Sequence, residues 1–217
     1  MAHSQSVLDT DRPLDETDLG DDPIEAFGRW YAEAQAADEP QPNAMALATA
    51  SETGEPTVRF VLLYHADQRG FTFFSNYESA KAADLAVNAR AALAFWWPGL
   101  HRQVRVTGAV ERTSRQESGE YWAGRPYGSR VSASISRQSQ VIGGRRELED
   151  AVRQLEEAAP AAPTLPDRWG GYRVRPDSIE FWQGRSNRLH DRLRYRRRQE
   201  GGQQVEQSGW QIARLAP

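Results

Sequence analysis

Near the start of the chain, apolar residues recur at helical spacing, at Ile24, Phe27, Trp30, Tyr31 and Ala34. They predict an amphipathic helix that runs to about Ala37. Asp22 is its N-cap, Pro23 its first residue and Glu25 its acidic third position, and Pro40 and Pro42 end it. The period then changes. Residues 44–51, 57–64, 71–75, 91–97 and 102–113 are short apolar or alternating runs, set apart by turn residues at 52–55, at 65–70 and at Pro98-Gly99. They predict strands, with one short helix over 79–88. Connections of about 5–10 residues leave little room for crossover helices, so the sheet is expected to be antiparallel, a barrel or a sandwich.

A helical stretch follows. Ser114 and Glu117 form a capping box, and the helix they open should stop near Arg125, because Pro126 disfavours helical geometry before it. Residues 128–137 are expected to be helical. Residues 145–158 form a surface helix with Leu148, Val152 and Leu155 as its apolar stripe. After a Pro/Ala loop at 159–166, residues 169–175 return to strand. Residues 179–198 then form a hairpin around the turn 184–187. In it Ile179, Phe181, Leu193 and Tyr195 share one set of faces, and Glu180, Trp182, His190, Arg192, Arg194 and Arg196 the other. A polar turn at 201–207 and a strand at 210–215 complete the pattern. The strands on both sides of the helical stretch are expected in one sheet, giving a single domain over 21–217. Residues 1–20, acidic and poor in apolar side chains, are expected to be a mobile arm.

Composition narrows the chemistry. The formal charge is −3, so no global field draws the chain to nucleic acid or to an anionic membrane. It contains no cysteine, which removes disulfides, thiolate metal sites and cysteine nucleophiles and suits a reducing cytoplasm. No apolar run approaches the roughly 20 residues that span a bilayer, and residues 1–20 lack the basic and apolar regions of a signal peptide. His3, His65, His101 and His190 show no metal spacing, and no phosphate-binding glycine loop or G-x-S-x-G elbow is present.

What remains are cationic, amide and aromatic residues scattered among the strands. Among 27 basic residues, Lys81 is the sole lysine. It lies in the first turn of a helix, as part of a phosphate site or as a solvated lysine. Arg59 begins an apolar strand, as an edge residue or an anion ligand, the edge reading fitting the pattern better. Gln103 faces either a partner or water. Tyr121, Arg125 and Ser129, spaced by four, fall on one side of a helix and its continuation, either as an anion clamp or as surface residues near a helix end. The hairpin's arginines, beside Trp182 and His190, suit an anionic planar ligand or a solvated basic edge strand equally.

Several motifs, in order, carry a resemblance: R-F-V-L-L at 59–63, F-F-S-N at 73–76, S-A-K-A at 79–82, R-Q-V at 102–104, Y-W-A-G-R-P at 121–126 and R-Q-S at 137–139. W-G-G-Y-R-V at 169–174, I-E-F-W-Q-G at 179–184, R-L-H-D-R at 188–192 and the terminal R-L-A-P follow. From about residue 22 to 217 the chain resembles the pyridoxamine 5′-phosphate oxidase family. The resemblance implies an α+β fold, mainly β with flanking helices, of the FMN-binding split-barrel type with a Greek-key-like antiparallel sheet. It also implies a homodimer with FMN sites at the subunit interface. By position, Arg59, Phe60, Val61, Leu62, Phe74, Ser75, Lys81, Gln103, Gln138, Ser139, Trp182 and Arg192 would bind FMN. Tyr64, Tyr121, Arg125 and Ser129 would bind the substrate phosphate, and Arg188 and His190 would act over its ring as the catalytic pair. The implied reaction oxidises pyridoxine or pyridoxamine 5′-phosphate to pyridoxal 5′-phosphate, with dioxygen as acceptor and hydrogen peroxide as product.

Two positions depart from the family pattern. Tyr64 stands where a lysine usually binds the substrate phosphate, and Ala80 replaces an arginine. These losses leave room for two other readings: a related FMN oxidase of phenazine biosynthesis acting on a reduced tricyclic intermediate, and a flavin- or pyridoxal-phosphate-binding protein without turnover.

Overall fold

The computed structural model describes residues 12–158, 163–200, 203–204 and 209–217. The chain enters through a short helix α1 (Glu16–Leu19) and a longer α2 (Pro23–Ala36). As the sequence predicts, the Asp22 carboxylate caps α2, accepting from the Ile24 and Glu25 amides at 2.7 and 3.3 Å. Then come β1 (Ala44–Ala50), β2 (Pro56–Leu62), β3 (His65–Asp67), β4 (Gly70–Asn76), α3 (Ala80–Val87), β5 (Arg90–Trp97) and β6 (Arg102–Arg112). Helices α4 (Arg115–Ala123), α5 (Tyr127–Ile135) and α6 (Arg145–Ala158) precede β7 (Trp169–Gln183) and β8 (Asp191–Arg197). The last elements are β9 (Gln199–Glu200), β10 (Gln203–Gln204) and β11 (Trp210–Arg214).

Nine strands form one antiparallel sheet in the order β11-β8-β7-β6-β5-β1-β2, with β4 on the free edge of the first half of β7 and β3 beyond it. The sheet curls until the end of β2 meets β4, where the Tyr64 amide donates to the Thr72 carbonyl at 2.8 Å. This is a half-barrel with flanking helices. Its concave side holds the core. Met45, Leu47, Leu93, Phe95, Val104, Val106, Ile179, Phe181, Leu193 and Tyr195 alternate inward along five strands. Helix α2 plugs that side, with Phe27 against Phe71, Phe95 and Trp97, and Trp30 edge-on to Phe181 at 5.1 Å.

Several expectations change. The two strands expected over 169–183 are one, because β7 runs through Pro176 by a bulge. Thr107 faces Ser178 and Gly108 faces Pro176, leaving Asp177 as the extra residue. The proline thus sits where the ladder asks for no amide. Part of the stretch expected as a turn at 65–70 is the short strand β3. Strand β8 is not an edge, since β11 pairs along it. Arg197 lies over the Trp210 ring at 4.1 Å, while Arg196 and Arg198 are exposed. Residues 12–20 are not free of the domain: Leu14 and Leu19 are buried in its core, and Arg214 pairs with Asp15 and Glu16. The rest of the expected arm, with His3, lies outside the described residues, as do 159–162 of the Pro/Ala loop and most of the polar turn at 201–207.

Candidate functional site

A cavity of about 1260 Å³ opens between β2, β4, α3 and the α4–α6 layer. At one end stands Lys81. Its Nζ donates to Ser75 Oγ (3.1 Å), Ser79 Oγ (3.2 Å) and Gln138 Oε1 (3.0 Å). Helical side chains lean toward their own N-terminus, so a lysine in the first turn of α3 is carried back over the N-cap Ser79 toward β4. The residue is 7% exposed. Burial, and secondarily the Arg59 charge, push its amine down to about 8. Ser139, in a left-handed conformation, accepts from the Ala80 amide at 3.2 Å and so sits at the start of α3. Arg59 lies at the rim of β2, the sheet's edge strand, as its pattern suggests. Its guanidinium donates to Thr49 Oγ1 (2.6 Å), Thr57 Oγ1 (2.5 Å) and the Leu47 carbonyl (3.3 Å), with Asp84 at 3.8 Å.

The other end is aromatic. Phe74 and Tyr121 stack at 4.0 Å and 12°, and both rings lie nearly parallel to Trp169. Tyr64 meets Tyr121 and Phe74 edge-on at 4.5 and 5.2 Å. Arg125 lies over Trp169 at 4.5 Å and near Trp122 at 5.3 Å. Its Nη1 is buried with no hydrogen-bond partner among the described residues, and burial lowers the pKa of its guanidinium. A buried donor left unpaired is costly, and an anion in this end of the cavity would satisfy it. Tyr121, Arg125 and Ser129 all line it, and Phe60, Val61 and Leu62 line the wall between the ends.

Gln103, Trp182, Arg188, His190 and Arg192 do not line this cavity. Gln103, Trp182 and Arg192 are neighbours in register across β6, β7 and β8, on the convex face. The His190 ring lies 4.6 Å from Trp182, and its Nδ1 accepts from the Arg185 amide at 3.0 Å, which leaves the neutral ring's proton on Nε2. Arg192 is held by Glu180 at 2.9 Å and by the Ala216 carbonyl at 3.0 Å. Arg188 is exposed, in a left-handed turn after Asn187. On that convex face Val58, Phe60, Leu62 and Trp96 are all more than half exposed, around a floor of Ala46, Ala48, Ala92 and Ala94.

Three contributors were not singled out in the sequence. Trp169 backs Arg125; its place in the W-G-G motif was the available signal. Asp84 joins Thr49 and Thr57 around Arg59. Helix α6, expected only as a surface helix, turns Leu148 and Val152 toward the cavity mouth. Among the described residues no group of three or more His, Asp or Glu side chains is placed to hold a metal ion, and no helix is long and apolar enough to cross a membrane.

An antiparallel half-barrel around an aromatic-walled cavity, with the buried Lys81 at one end and the half-buried Arg125 at the other, defines a split-barrel protein. Residues 32–158 match the family model for pyridoxamine 5′-phosphate oxidase. Residues 169–217 match that for the pyridoxine 5′-phosphate oxidase C-terminal dimerisation region. The chain belongs to the pyridoxamine 5′-phosphate oxidase family. It is 52% identical over 204 residues to a pyridoxine/pyridoxamine 5′-phosphate oxidase of Burkholderia cenocepacia, covering 94% of this chain and 93% of the relative. Among solved structures, PhzG from Burkholderia lata, in complex with tetrahydrophenazine-1-carboxylic acid, superposes with a TM-score of 0.86 at 30% identity, over 96% of this chain and 100% of that one. A pyridoxamine 5′-phosphate oxidase-related, FMN-binding protein from Nostoc punctiforme shares the fold, with a TM-score of 0.71 at 16% identity, over 90% of this chain and 98% of that one.

Proposed function

We propose that the protein is an FMN-dependent oxidase of pyridoxine 5′-phosphate and pyridoxamine 5′-phosphate, forming pyridoxal 5′-phosphate with dioxygen as acceptor and hydrogen peroxide as product. One observation carries this reading: a single cavity has two cationic ends with no shared partner, Lys81 with Arg59 at one and Arg125 at the other. A phosphorylated cofactor and a phosphorylated substrate require two such ends.

The residues fit FMN. Lys81 is a desolvated cation surrounded by hydroxyl and amide groups, the environment an anion relieves. Arg59, Ser75, Lys81 and Ser139 would hold the cofactor phosphate, with Gln138 beside them. Phe60, Val61, Leu62 and Phe74 would contact its body. FMN held there would supply the two-electron redox chemistry that couples oxidation of the substrate to reduction of dioxygen. Tyr121, Arg125 and Ser129 bind the substrate phosphate, with the Tyr64 hydroxyl as a neutral donor where charge would bind harder. Arg188 orients the substrate ring and its phenolic oxygen, and His190 offers Nε2–H to the reacting substituent. Orientation of this kind contributes several kcal/mol to a rate.

Gln103, Trp182, Arg188, His190 and Arg192 reach a ligand in the cavity only from a second copy. A homodimer, packed through the convex face with Phe60 and Trp96, is therefore part of this reading. The match to a dimerisation region over 169–217 supports it. A chain of 217 residues without cysteine suits a reducing compartment, and the cytoplasm is the proposed location.

Tyr64 favours a second reading. Its ring, packed edge-on to Tyr121 and Phe74, makes the Arg125 end more apolar and less charged than a lysine would. The structural likeness to PhzG, solved with a tetrahydrophenazine carboxylic acid, points the same way, toward a reduced tricyclic acid as substrate. Oxygen uptake by the FMN-loaded protein decides between the two. Turnover of either B6 phosphate supports the first reading; turnover of a dihydrophenazine acid alone selects the second.

A further inference from the structure

Beside the proposed catalytic pair lies a carboxylate that neither reading uses. Asp191 follows His190 directly and closes the β7–β8 pairing opposite Gln183. Its side chain gathers three separate segments of the chain. Oδ2 accepts from the Leu14 amide of the N-terminal segment at 3.1 Å and from Arg185 Nη1 at 3.4 Å. Oδ1 accepts from Arg214 Nη1, near the C-terminus, at 2.8 Å. Arg214 in turn donates to the Leu14 carbonyl at 2.9 Å, so the N- and C-terminal segments are also tied to each other.

Arg185 is the link to the site. Its side chain is held by Asp191, and its backbone amide donates to His190 Nδ1 at 3.0 Å. Between these anchors residues 186–189 are exposed and contain two consecutive left-handed residues, Asn187 (φ 55°) and Arg188 (φ 61°), a conformation uncommon for a long side chain such as arginine. Within the tip, the backbone is tied locally by the Leu189 amide to the Ser186 carbonyl.

We propose that Asp191 is a positioning residue for Arg188 and His190. By fixing Arg185 it sets the ring orientation of His190 and the left-handed turn that aims Arg188. The same carboxylate also holds Leu14 and Arg214, so the two terminal segments are anchored at the base of the tip without setting its order. The functional half of this inference rests on the reading of Arg188 and His190 as substrate contacts; the conformational half does not.

The test pairs backbone hydrogen exchange with kinetics in the full-length, FMN-loaded protein. Asp191→Asn keeps the shape and removes the charge, and Arg214→Ala cuts only the terminal tie. The expected result is faster exchange across 184–190 in Asp191→Asn, and in Arg214→Ala faster exchange at 12–16 and 212–215 with the tip unchanged. kcat/KM should fall on the order of tenfold to a hundredfold in Asp191→Asn. Arg185→Ala should cause a similar loss, and the double variant should lose no more than either single one. Unchanged exchange at the tip in Asp191→Asn, or additive losses in the double variant, overturns the proposal. If the wild type oxidises neither a B6 phosphate nor a reduced phenazine acid while the exchange pattern holds, the substrate reading fails and the clamp stands.

Discussion

Lys81 shows how one residue's chemistry depends on what surrounds it. An amine held down to about 8 is partly neutral in mildly alkaline solution, and a bound phosphate must keep it charged. FMN affinity is therefore expected to fall as pH rises through 8 to 9.5, while Lys81→Met binds about 1.5–3 kcal/mol more weakly and loses that dependence. Titration by flavin fluorescence quenching checks both. The sign for folding is opposite. Without an anion the folded state binds fewer protons at this site between about 8 and the ordinary 10.5, so this residue's contribution to stability rises with pH across that window. Tyr64 gives the complementary case at the other end of the cavity. Tyr64→Lys restores a charge beside Tyr121 and is expected to lower KM for pyridoxine 5′-phosphate; a steady-state KM equal to or above the wild type's contradicts the role given to this position.

At the level of elements, the local signals in the sequence were dependable where one residue or one turn decides the outcome. The Asp22 cap and the Ser114–Glu117 capping box both form, the latter with mutual bonds of 3.1 and 3.2 Å. Ser114→Ala should cost about 1 kcal/mol in denaturant unfolding. The signals failed where the partner strand decides. Pro176 looks like a strand end, yet β7 continues because Gly108 on β6 lets the two backbones close up at the bulge. A β-carbon at Gly108 would run into the Arg175 carbonyl. Gly108→Ala is accordingly expected to destabilise the protein by about 1–3 kcal/mol, measurable as a lower denaturant midpoint at unchanged slope. The basic hairpin shows the same limit. Its alternation was legible, with Leu193 and Tyr195 inward, but that β11 covers β8 and turns Arg197 onto Trp210 was not.

For the whole molecule, the candidate site divides into a cavity and a convex face. Phe60 belongs to both, lining the one and standing 77% exposed on the other. Phe60→Asp is expected to give a monomer by light scattering, with loss of FMN binding. A dimer that binds FMN normally contradicts the interfacial site. The sequence by itself determined the alternating strands, the helix starts, the antiparallel class and the identity of the chemical groups, because each of these depends on neighbours within a turn or a pleat. It also carried the ordered motifs by which the family was legible. Only the tertiary structure decided which groups meet. Lys81 joins Ser75 and Gln138, the Nη1 of Arg125 is buried without a partner among the described residues while its guanidinium lies over Trp169, Asp191 binds segments 200 residues apart in sequence, and Arg188 and His190 do not line the cavity of their own chain. Burial and long-range pairing set those outcomes. They depend on how the sheet curls, and no local pattern encodes that.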